Sequence, residues 1–366
     1  MSLEPGIDDI QEFLGATAAA PEQSEVPGAL PIGLPMPRNA SLLFDPTQRV
    51  HVTRGVERRF PFPIPNGWFI VAATDELAVG EVQALFDFGR DLVLFRTEAG
   101  EPRVLDAHCP HLGAHLAVGG RVEADCIRCP FHGWSFDGES GTCTEIPYGG
   151  GTRIPQRAQA RSYPTLERNH MVWAWYHAEG EPPFYDVPVV DEFHDPDWQP
   201  ILVKEFDIAI AAQEMAENNV DYSHFRYVHG TDGIPEDTFV TEGTYKRAVG
   251  QEGNFVREGF GLGLGVLRVK NWVTFLSSTT PIDEAHVHVR WIFTTPKANG
   301  DDALTQASDS FCEGLSQDIP IWENKIYRPH PVLTRSERPI LEHRRWARQF
   351  YSAYEEDIPT TTEEDE

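Results

Sequence analysis

Two short cysteine–histidine motifs of matching form constrain this chain more than any other feature. The first is Cys109-Pro110-His111, and the second, after seventeen intervening residues, is Cys129-Pro130-Phe131-His132. Two thiolates and two imidazoles are the ligands of a [2Fe-2S] centre in which Cys binds one iron and His binds the other, a Rieske centre. Pro110, Gly113, Pro130 and Gly133 supply the turns that such loops need. The motifs therefore predict a small β domain that holds this cluster.

A structural zinc site is the alternative, because Cys126-Ile127-Arg128-Cys129 resembles half of one. Cys109 and His111 could supply the other half, but the mirrored spacing and the loop residues favour iron. Four nearby residues have side chains that could bind a metal, but we expect structural roles for them. His108 and His115 are expected to form hydrogen bonds in the loops, and Cys126 and Cys143 to be small buried residues.

A second cluster consists of Asp221, His224 and His229. We expect a helix over Gln213–Val228, on which Asp221 and His224 share a face. His229 joins them only if the helix breaks near residues 227–230, where Gly230 is a common stop signal. Two imidazoles and a carboxylate form a facial triad, which leaves open coordination positions on a mononuclear Fe(II).

The carboxylate ligand of this triad is open to more than one assignment. Asp221 is either a ligand or the hydrogen-bond partner of a ligating His. In the second case the third ligand lies elsewhere, and we choose Asp318, on an expected helix over residues 301–325. Glu313 and Glu323 lie on the same helix, and the residues alone do not rank the three.

Charge and composition restrict the partners. The net charge is −27 and the Lys and Arg residues form no run, which argues against nucleic acid binding. No basic start precedes an apolar segment, and no eighteen apolar residues run together, so we expect neither a signal peptide nor a membrane span. Five cysteines without a disulfide pattern favour a cytoplasmic protein.

The 366 residues suffice for two domains, and the fold class predicted is α+β. Four segments are expected: a Pro-rich tail (1–58), an all-β Rieske domain (59–180), a catalytic domain of antiparallel sheet with helices (181–354) and an acidic disordered tail (355–366). Strands are expected at residues 68–73, 92–97, 103–106, 171–177, 202–210, 254–269, 272–280 and 285–295, and a last helix at 339–351.

Four glycines alternate within the expected strand over residues 254–269, namely Gly259, Gly261, Gly263 and Gly265. Such a strand has one face without side chains. We hypothesise that this face forms a slot for a flat polycyclic substrate; close packing of a helix is the alternative.

Three segments resemble the oxygenase component of Rieske non-haem iron oxygenases: residues 109–147, 217–229 (Glu-Asn-Asn-Val-Asp-Tyr-Ser-His-Phe-Arg-Tyr-Val-His) and 317–325. The resemblance covers roughly residues 60–352. It is strongest to the steroid group, the 3-ketosteroid 9α-hydroxylases and cholesterol 7-desaturases, which the segment 344–351 also resembles. This chain departs from the 9α-hydroxylase pattern in its long Pro-rich start and its acidic end.

The resemblance implies that Cys109, His111, Cys129 and His132 bind the cluster and that His224, His229 and Asp318 bind the iron. Asp221 becomes the bridge to His132 of the partner subunit in a ring-shaped homotrimer, and the catalytic domain has a helix-grip fold. It further implies O₂ and NAD(P)H-derived electrons, supplied by a separate reductase or ferredoxin. The expected reaction is hydroxylation or desaturation of a C–H position in a hydrophobic, steroid-like substrate.

Two alternatives to this function remain. A Rieske protein that only transfers electrons would need neither a second iron site nor roughly 170 further residues. An oxygenase for aromatic or heteroaromatic acids would need a cation for the carboxylate, and Arg268, Lys270 and Arg290 are candidates.

Overall fold

The computed structural model describes residues 59–151, 153–232 and 238–352. The expected Pro-rich tail (1–58) and acidic tail (355–366) lie outside the described residues. The fold-class prediction is confirmed, because β-sheets dominate and the few α-helices of the described residues all lie in the second half.

The first half is built from short strands in three antiparallel sheets, in the orders β1-β11-β10, β2-β3-β4-β9 and β5-β6-β7-β8. The strands are β1 (Gly67–Ala73), β2 (Val82–Asp87), β3 (Arg90–Arg96), β4 (Pro102–Asp106), β5 (Arg121–Glu123), β6 (Cys126–Arg128), β7 (Ser135–Asp137), β8 (Cys143–Glu145), β9 (Ser162–Tyr163), β10 (Thr165–Arg168) and β11 (Met171–Tyr176). The two cysteine–histidine motifs lie in the loops after β4 and β6, so the third sheet supports one end of the cluster site.

The second half is a seven-stranded antiparallel sheet in the order β12-β18-β17-β16-β15-β14-β13. Its strands are β12 (Leu202–Ile208), β13 (Thr238–Glu242), β14 (Tyr245–Gly250), β15 (Phe255–Phe260), β16 (Leu264–Val269), β17 (Val273–Pro281) and β18 (Val287–Thr294). The helices are α1 (Ala212–Glu217), α2 (Ser223–Tyr227), α3 (Ala303–Trp322) and α4 (Arg338–Ala347).

The two faces of this sheet bury different partners, because neighbouring residues of a strand point to opposite sides. On one face Leu264, Leu276 and Ile292 pack against Trp68 and Trp173 of the first half. The other face packs against the helices, with aromatic residues of the strands near Phe311 of α3. The space between the sheet and the helices is where a cavity can form.

The single helix expected over Gln213–Val228 is wrong. α1 ends at Glu217, a 3-10 turn covers Asn218–Val220, and Asp221 has non-helical dihedral angles (φ −87°, ψ 86°) before α2 begins. Asn, Val and Asp are poor helix formers. The side chains of Asn and Asp compete for backbone hydrogen bonds, and Val loses side-chain rotamer freedom in a helix. The break expected near residues 227–230 is present, because α2 ends at Tyr227 and Gly230 has a φ of +71°.

The single strand expected over Asn254–Val269 is also wrong, because it is a hairpin of β15 and β16. Gly261 in the turn has a φ of +71°, a conformation that Gly adopts without cost. A Cβ atom there would lie 2.1 Å from Oη of Tyr185. The alternating glycines therefore do not share one strand face.

No helix within the described ranges is both long enough and apolar enough to cross a membrane.

Candidate metal centres and the adjoining cavity

The two cysteine–histidine loops have the same backbone geometry. The N–H of Cys109 donates to the carbonyl of Ala114 (2.9 Å), and that of Cys129 donates to the carbonyl of Trp134 (2.8 Å). Gly113 and Gly133 then donate back to the carbonyls of Cys109 (2.9 Å) and Cys129 (3.1 Å). Both glycines have positive φ (77° and 72°), so each loop turns sharply at a residue without a Cβ atom.

The side chains of these loops converge. Both cysteines are 2% exposed, and burial raises the pKa of the Cys109 thiol to about 11, with the neighbouring Cys129 adding to the rise. The rings of His111 and His132 lie 4.7 Å apart. Nδ1 of His111 is buried and has no hydrogen-bond partner. Two buried thiols and an unpartnered imidazole nitrogen fit a bound metal cluster, which would satisfy all three.

Trp134 and Tyr148 support this site, and sequence reasoning missed both. The indole of Trp134 stacks on the ring of His111 at 4.5 Å and 6°. Its Nε1–H donates to Oη of Tyr148 (2.8 Å). Trp134 follows the second motif by two residues, so its position was the one available signal; Tyr148 is sixteen residues beyond His132.

The zinc alternative does not suit this geometry. Among the residues that the structure describes, one set of three or more His, Cys, Asp or Glu side chains has all its ligand atoms within 4.8 Å of one another, and it contains no cysteine. A tetrahedral zinc ion would hold its four ligands closer than that. Cys126 is half-buried beside Thr144 and so differs from the expectation of burial, whereas Cys143 is buried as expected.

The flanking histidines act as hydrogen-bonding loop residues. His108 contacts the carbonyl of Gly113 (3.2 Å) and the carboxylate of Asp91 (3.3 Å). His115 accepts the N–H of Ala117 (3.2 Å).

The close set of ligand atoms is formed by His224, His229 and Asp318. α2 carries His224, the turn after it carries His229, and α3 carries Asp318, so the set depends on the packing of α3 against the α2 segment. Nε2 of His229 lies 3.5 Å from Oδ2 of Asp318. Asp318 is 6% exposed, whereas Glu313 and Glu323 are exposed and do not belong to the set.

Both imidazoles are oriented through Nδ1. Nδ1–H of His224 donates to the backbone carbonyl of Asp221, and Nδ1–H of His229 donates to Oε1 of Gln317 (2.9 Å). Because a carbonyl oxygen can only accept, each Nε2 keeps its lone pair for a metal. Nε2 of His224 is buried and unpartnered, which fits such an ion. Sequence reasoning missed Gln317, whose one signal was its position beside Asp318.

The two imidazoles differ in electrostatics. Burial lowers the pKa of His224 and keeps it neutral, the form that binds metals. Burial also disfavours charge on His229, but hydrogen bonds with Asp318 and Gln317 outweigh it and raise its pKa. Asp221 is half-buried, and its backbone rather than its carboxylate contacts His224.

A cavity adjoins this set of residues, between the sheet and helices α1 and α3. Its empty volume, including the mouth, is about 1210 Å³, and its wall contains more apolar than polar surface. His224, His229 and Asp318 all line it. The lining also includes Phe275 and Phe311, which suits a hydrophobic molecule.

The cations suggested for an acidic substrate lie outside this cavity. Arg268 is paired with Glu192 and Glu258, Arg290 is paired with Glu205, and Lys270 is exposed. Among the described residues, the Lys and Arg side chains that line the cavity are Lys246 and Arg257.

The glycines have separate surroundings, which corrects the slot hypothesis as first stated. A Cβ atom on Gly263 would lie 2.2 Å from Cε1 of Phe69, in the first half of the chain. Gly261 is blocked by Tyr185. Both glycines therefore permit close packing, but against aromatic rings rather than a helix. Gly259, Gly261 and Gly265 line the cavity.

Two family models match the chain. Residues 67–164 match the Rieske [2Fe-2S] domain, and residues 174–351 match the 3-ketosteroid 9alpha-hydroxylase C-terminal domain. The cholesterol 7-desaturase of Caenorhabditis elegans is 31% identical over 336 residues, covering 80% of this chain and 78% of that protein. The oxygenase component of 3-ketosteroid-9-alpha-monooxygenase from Rhodococcus rhodochrous is 29% identical over 332 residues, covering 80% and 82%.

Solved structures show the same fold at lower identity. NdmA from Pseudomonas putida CBB5 superposes with a TM-score of 0.64 at 20% identity, covering 77% of this chain and 88% of that one. Dicamba monooxygenase gives a TM-score of 0.59 at 18% identity, covering 78% and 97%. Together with the relatives above, these matches place the chain in the family of Rieske non-haem iron oxygenases, among the oxygenases related to cholesterol 7-desaturase and 3-ketosteroid 9α-hydroxylase.

Proposed function

We propose that this protein is the terminal oxygenase of a monooxygenase system that hydroxylates or desaturates a C–H position of a steroid or sterol-like substrate. It uses O₂ and NAD(P)H-derived electrons from a separate reductase or ferredoxin. The observation that carries the proposal is that His224, His229 and Asp318 converge at the wall of a cavity with a mostly apolar lining, in a chain whose relatives act on steroids by name.

We assign the cluster to Cys109, His111, Cys129 and His132, and the mononuclear iron to His224, His229 and Asp318. When bound, the cluster supplies single electrons and the iron supplies open positions for O₂. The chain itself orients the imidazoles of His224 and His229 through Nδ1 and surrounds the substrate with apolar side chains. We also propose that these centres belong to two domains, at residues 59–180 and 181–354.

The assembly we propose is a cytoplasmic homotrimer in which the carboxylate of Asp221 bonds to His132 of the partner subunit and so connects the two centres. Leu112, Phe131 and Tyr148 surround the cluster loops and are 66%, 63% and 61% exposed, a patch that suits burial against another copy. All five cysteines are free, as in proteins of a reducing compartment.

The alternatives have less support. A protein that only transfers electrons has no use for a ligand triad at a cavity. For an aromatic acid, none of the three cations suggested from the sequence lines the cavity. Lys246 and Arg257 do line it, but Lys246 donates to the carbonyl of Ala216 and Arg257 lies over the ring of Phe255.

The test is oxygen uptake with product analysis, using the holoenzyme, NADH and a compatible reductase. The panel is cholesterol, a 3-ketosteroid and a single-ring aromatic acid. Product from a steroid is expected; turnover of the aromatic acid with no product from either steroid would contradict the proposed substrate class.

Asp221→Ala tests the bridge. The variant is expected to retain its iron content and cluster absorption, and to lose turnover with reductase, because the ligand atoms are untouched while the connection is removed. Wild-type turnover in this variant would contradict the bridging role. Light scattering of the wild-type protein tests the trimer.

A further inference from the structure

The register of the large sheet places five cavity residues in one row across five strands. Lys246 on β14 pairs with Gly259 on β15, which pairs with Gly265 on β16; Gly265 pairs with Ser277 on β17, which pairs with Trp291 on β18. All five line the cavity. Directly paired residues point to the same side of a sheet, so this row runs across the cavity floor, with about 4.8 Å between strands.

The two glycines in the row have different surroundings. A Cβ atom on Gly259 would lie 2.5 Å from Cε of Lys246, so the lysine stem already covers that position. Nζ of Lys246 donates to the carbonyl of Ala216 (3.0 Å), which holds the stem there. At Gly265 a Cβ atom would have one atom of the described residues within 4 Å, the backbone oxygen of Glu258 at 3.2 Å. The floor is therefore open at Gly265.

A polar pair borders this opening. Nε1–H of Trp291 donates to Oγ of Ser277 (2.9 Å), which fixes the hydroxyl as an acceptor and leaves its own O–H to donate. Leu267 and Phe275, which pair with each other, form the next row along the same face. The opening at Gly265 is thus bordered by apolar side chains on one side and by the Ser277 hydroxyl on another.

We infer that Gly265 is a specificity-determining residue, whose missing side chain lets a rigid fused-ring substrate lie flat on the sheet between the Lys246 stem and the Ser277–Trp291 pair. The Ser277 hydroxyl donates a hydrogen bond to an oxygen substituent of the rings. Atoms in contact are separated by about 3.5–4 Å, so a side chain at residue 265 would occupy the layer that the rings need. The inference rests on the proposed function and names the residues that would select its substrate.

The test measures substrate binding in the holoenzyme by equilibrium dialysis, with progesterone as the fused-ring probe and benzoate as the single-ring probe. The variants are Gly265→Ala, Gly265→Val and Gly265→Leu. Progesterone affinity is expected to fall as the side chain at residue 265 becomes larger, by about tenfold or more in the largest variant. The reason is the free-energy cost of steric overlap between that side chain and the bound rings. Benzoate affinity should change less than about threefold, since one ring fits beside the added side chain.

Cluster absorption and iron content are measured for each variant, so that a variant that fails to fold is recognised. In that case the variants with smaller side chains test the role of Gly265. Equal progesterone affinity in all folded variants overturns the role of Gly265 while the proposed function stands. If wild-type protein binds benzoate but not progesterone, the proposed substrate class fails, and this inference with it. Ser277→Ala should weaken progesterone binding severalfold, as expected for one lost hydrogen bond; no change would remove Ser277 from the proposal.

Discussion

Gly263→Ala is predicted to destabilise the protein through a clash between its two halves. The new Cβ atom would lie 2.2 Å from Cε1 and 2.5 Å from Cδ1 of Phe69. Phe69 is fully buried and packs near Phe88, with ring centroids 5.5 Å apart, so its ring has no free space to enter. The backbone of Gly263 does not have positive φ, so the clash alone accounts for the effect.

The size of the effect follows from the overlap. Carbon atoms in contact are about 3.5–4.0 Å apart, so the methyl group would penetrate the ring by more than about 1 Å. Overpacking a buried site typically costs about 1–3 kcal/mol, and an overlap of this depth places Gly263→Ala at about 3 kcal/mol. Gly265→Ala, two residues further on in β16, meets one backbone oxygen at 3.2 Å and is the matched control, with an expected cost below about 1 kcal/mol.

The assay is urea unfolding followed by tryptophan fluorescence, in a double-mutant cycle with Phe69→Leu. The shorter side chain removes the clashing ring atoms, so the two substitutions should couple favourably by about 1–2 kcal/mol. A free energy of unfolding within about 0.5 kcal/mol of the wild type for Gly263→Ala, or strict additivity in the cycle, would refute this account of the interface.

Three further predictions concern charged and polar side chains in the second half of the chain. Arg344→Met leaves the carboxylate of Glu217 buried without the guanidinium that holds it at 2.6 and 2.8 Å. Urea unfolding should therefore register a loss of about 3–5 kcal/mol, and a loss below about 1 kcal/mol would contradict the importance of this pair. Burial, reinforced by a nearby arginine, lowers the pKa of Lys246 from 10.5 to about 7. Between these pH values the unfolded chain binds more protons than the folded chain, so the free energy of unfolding increases as the pH rises. Lys246→Met should lack this increase. Parallel pH profiles of unfolding for the two proteins would contradict the lowered pKa of Lys246. Gln317→Leu removes the acceptor for Nδ1–H of His229 and should weaken iron binding about 10- to 100-fold against a competing chelator, with unchanged cluster absorption. Iron affinity equal to that of the wild type would rule out this orienting role.

The features predicted well from the sequence are those decided within a few consecutive residues. The loops around Cys109 and Cys129 turn at glycines of positive φ that lie four residues after each cysteine. The end of α2 follows from Gly230 in the same way. In each case the conformation depends on a glycine and its immediate neighbours, so local sequence determines it.

The periodicity of the sequence did not predict the break at Asp221 or the turn at Gly261, although poor helix formers and a glycine lie at these positions. Periodicity favoured one helix and one long strand, but the tertiary structure favours a kinked segment that brings His224 to Asp318, and a hairpin that lets Gly261 pack under Tyr185. Weak local preferences were overridden by packing with residues far away in the chain.

The sequence by itself thus identified the side chains that we propose as ligands of the two metal centres, and the combination of short β-strands with a larger antiparallel sheet and helices. Only the tertiary structure decided that Gln317 orients His229 and that Lys246, Gly259, Gly265, Ser277 and Trp291 share one row of the cavity floor. The physical reason is that metal-ligand chemistry is a property of residue type, whereas a strand register or a helix contact depends on which distant residues pair, and a shift of one residue would turn every side chain to the other face.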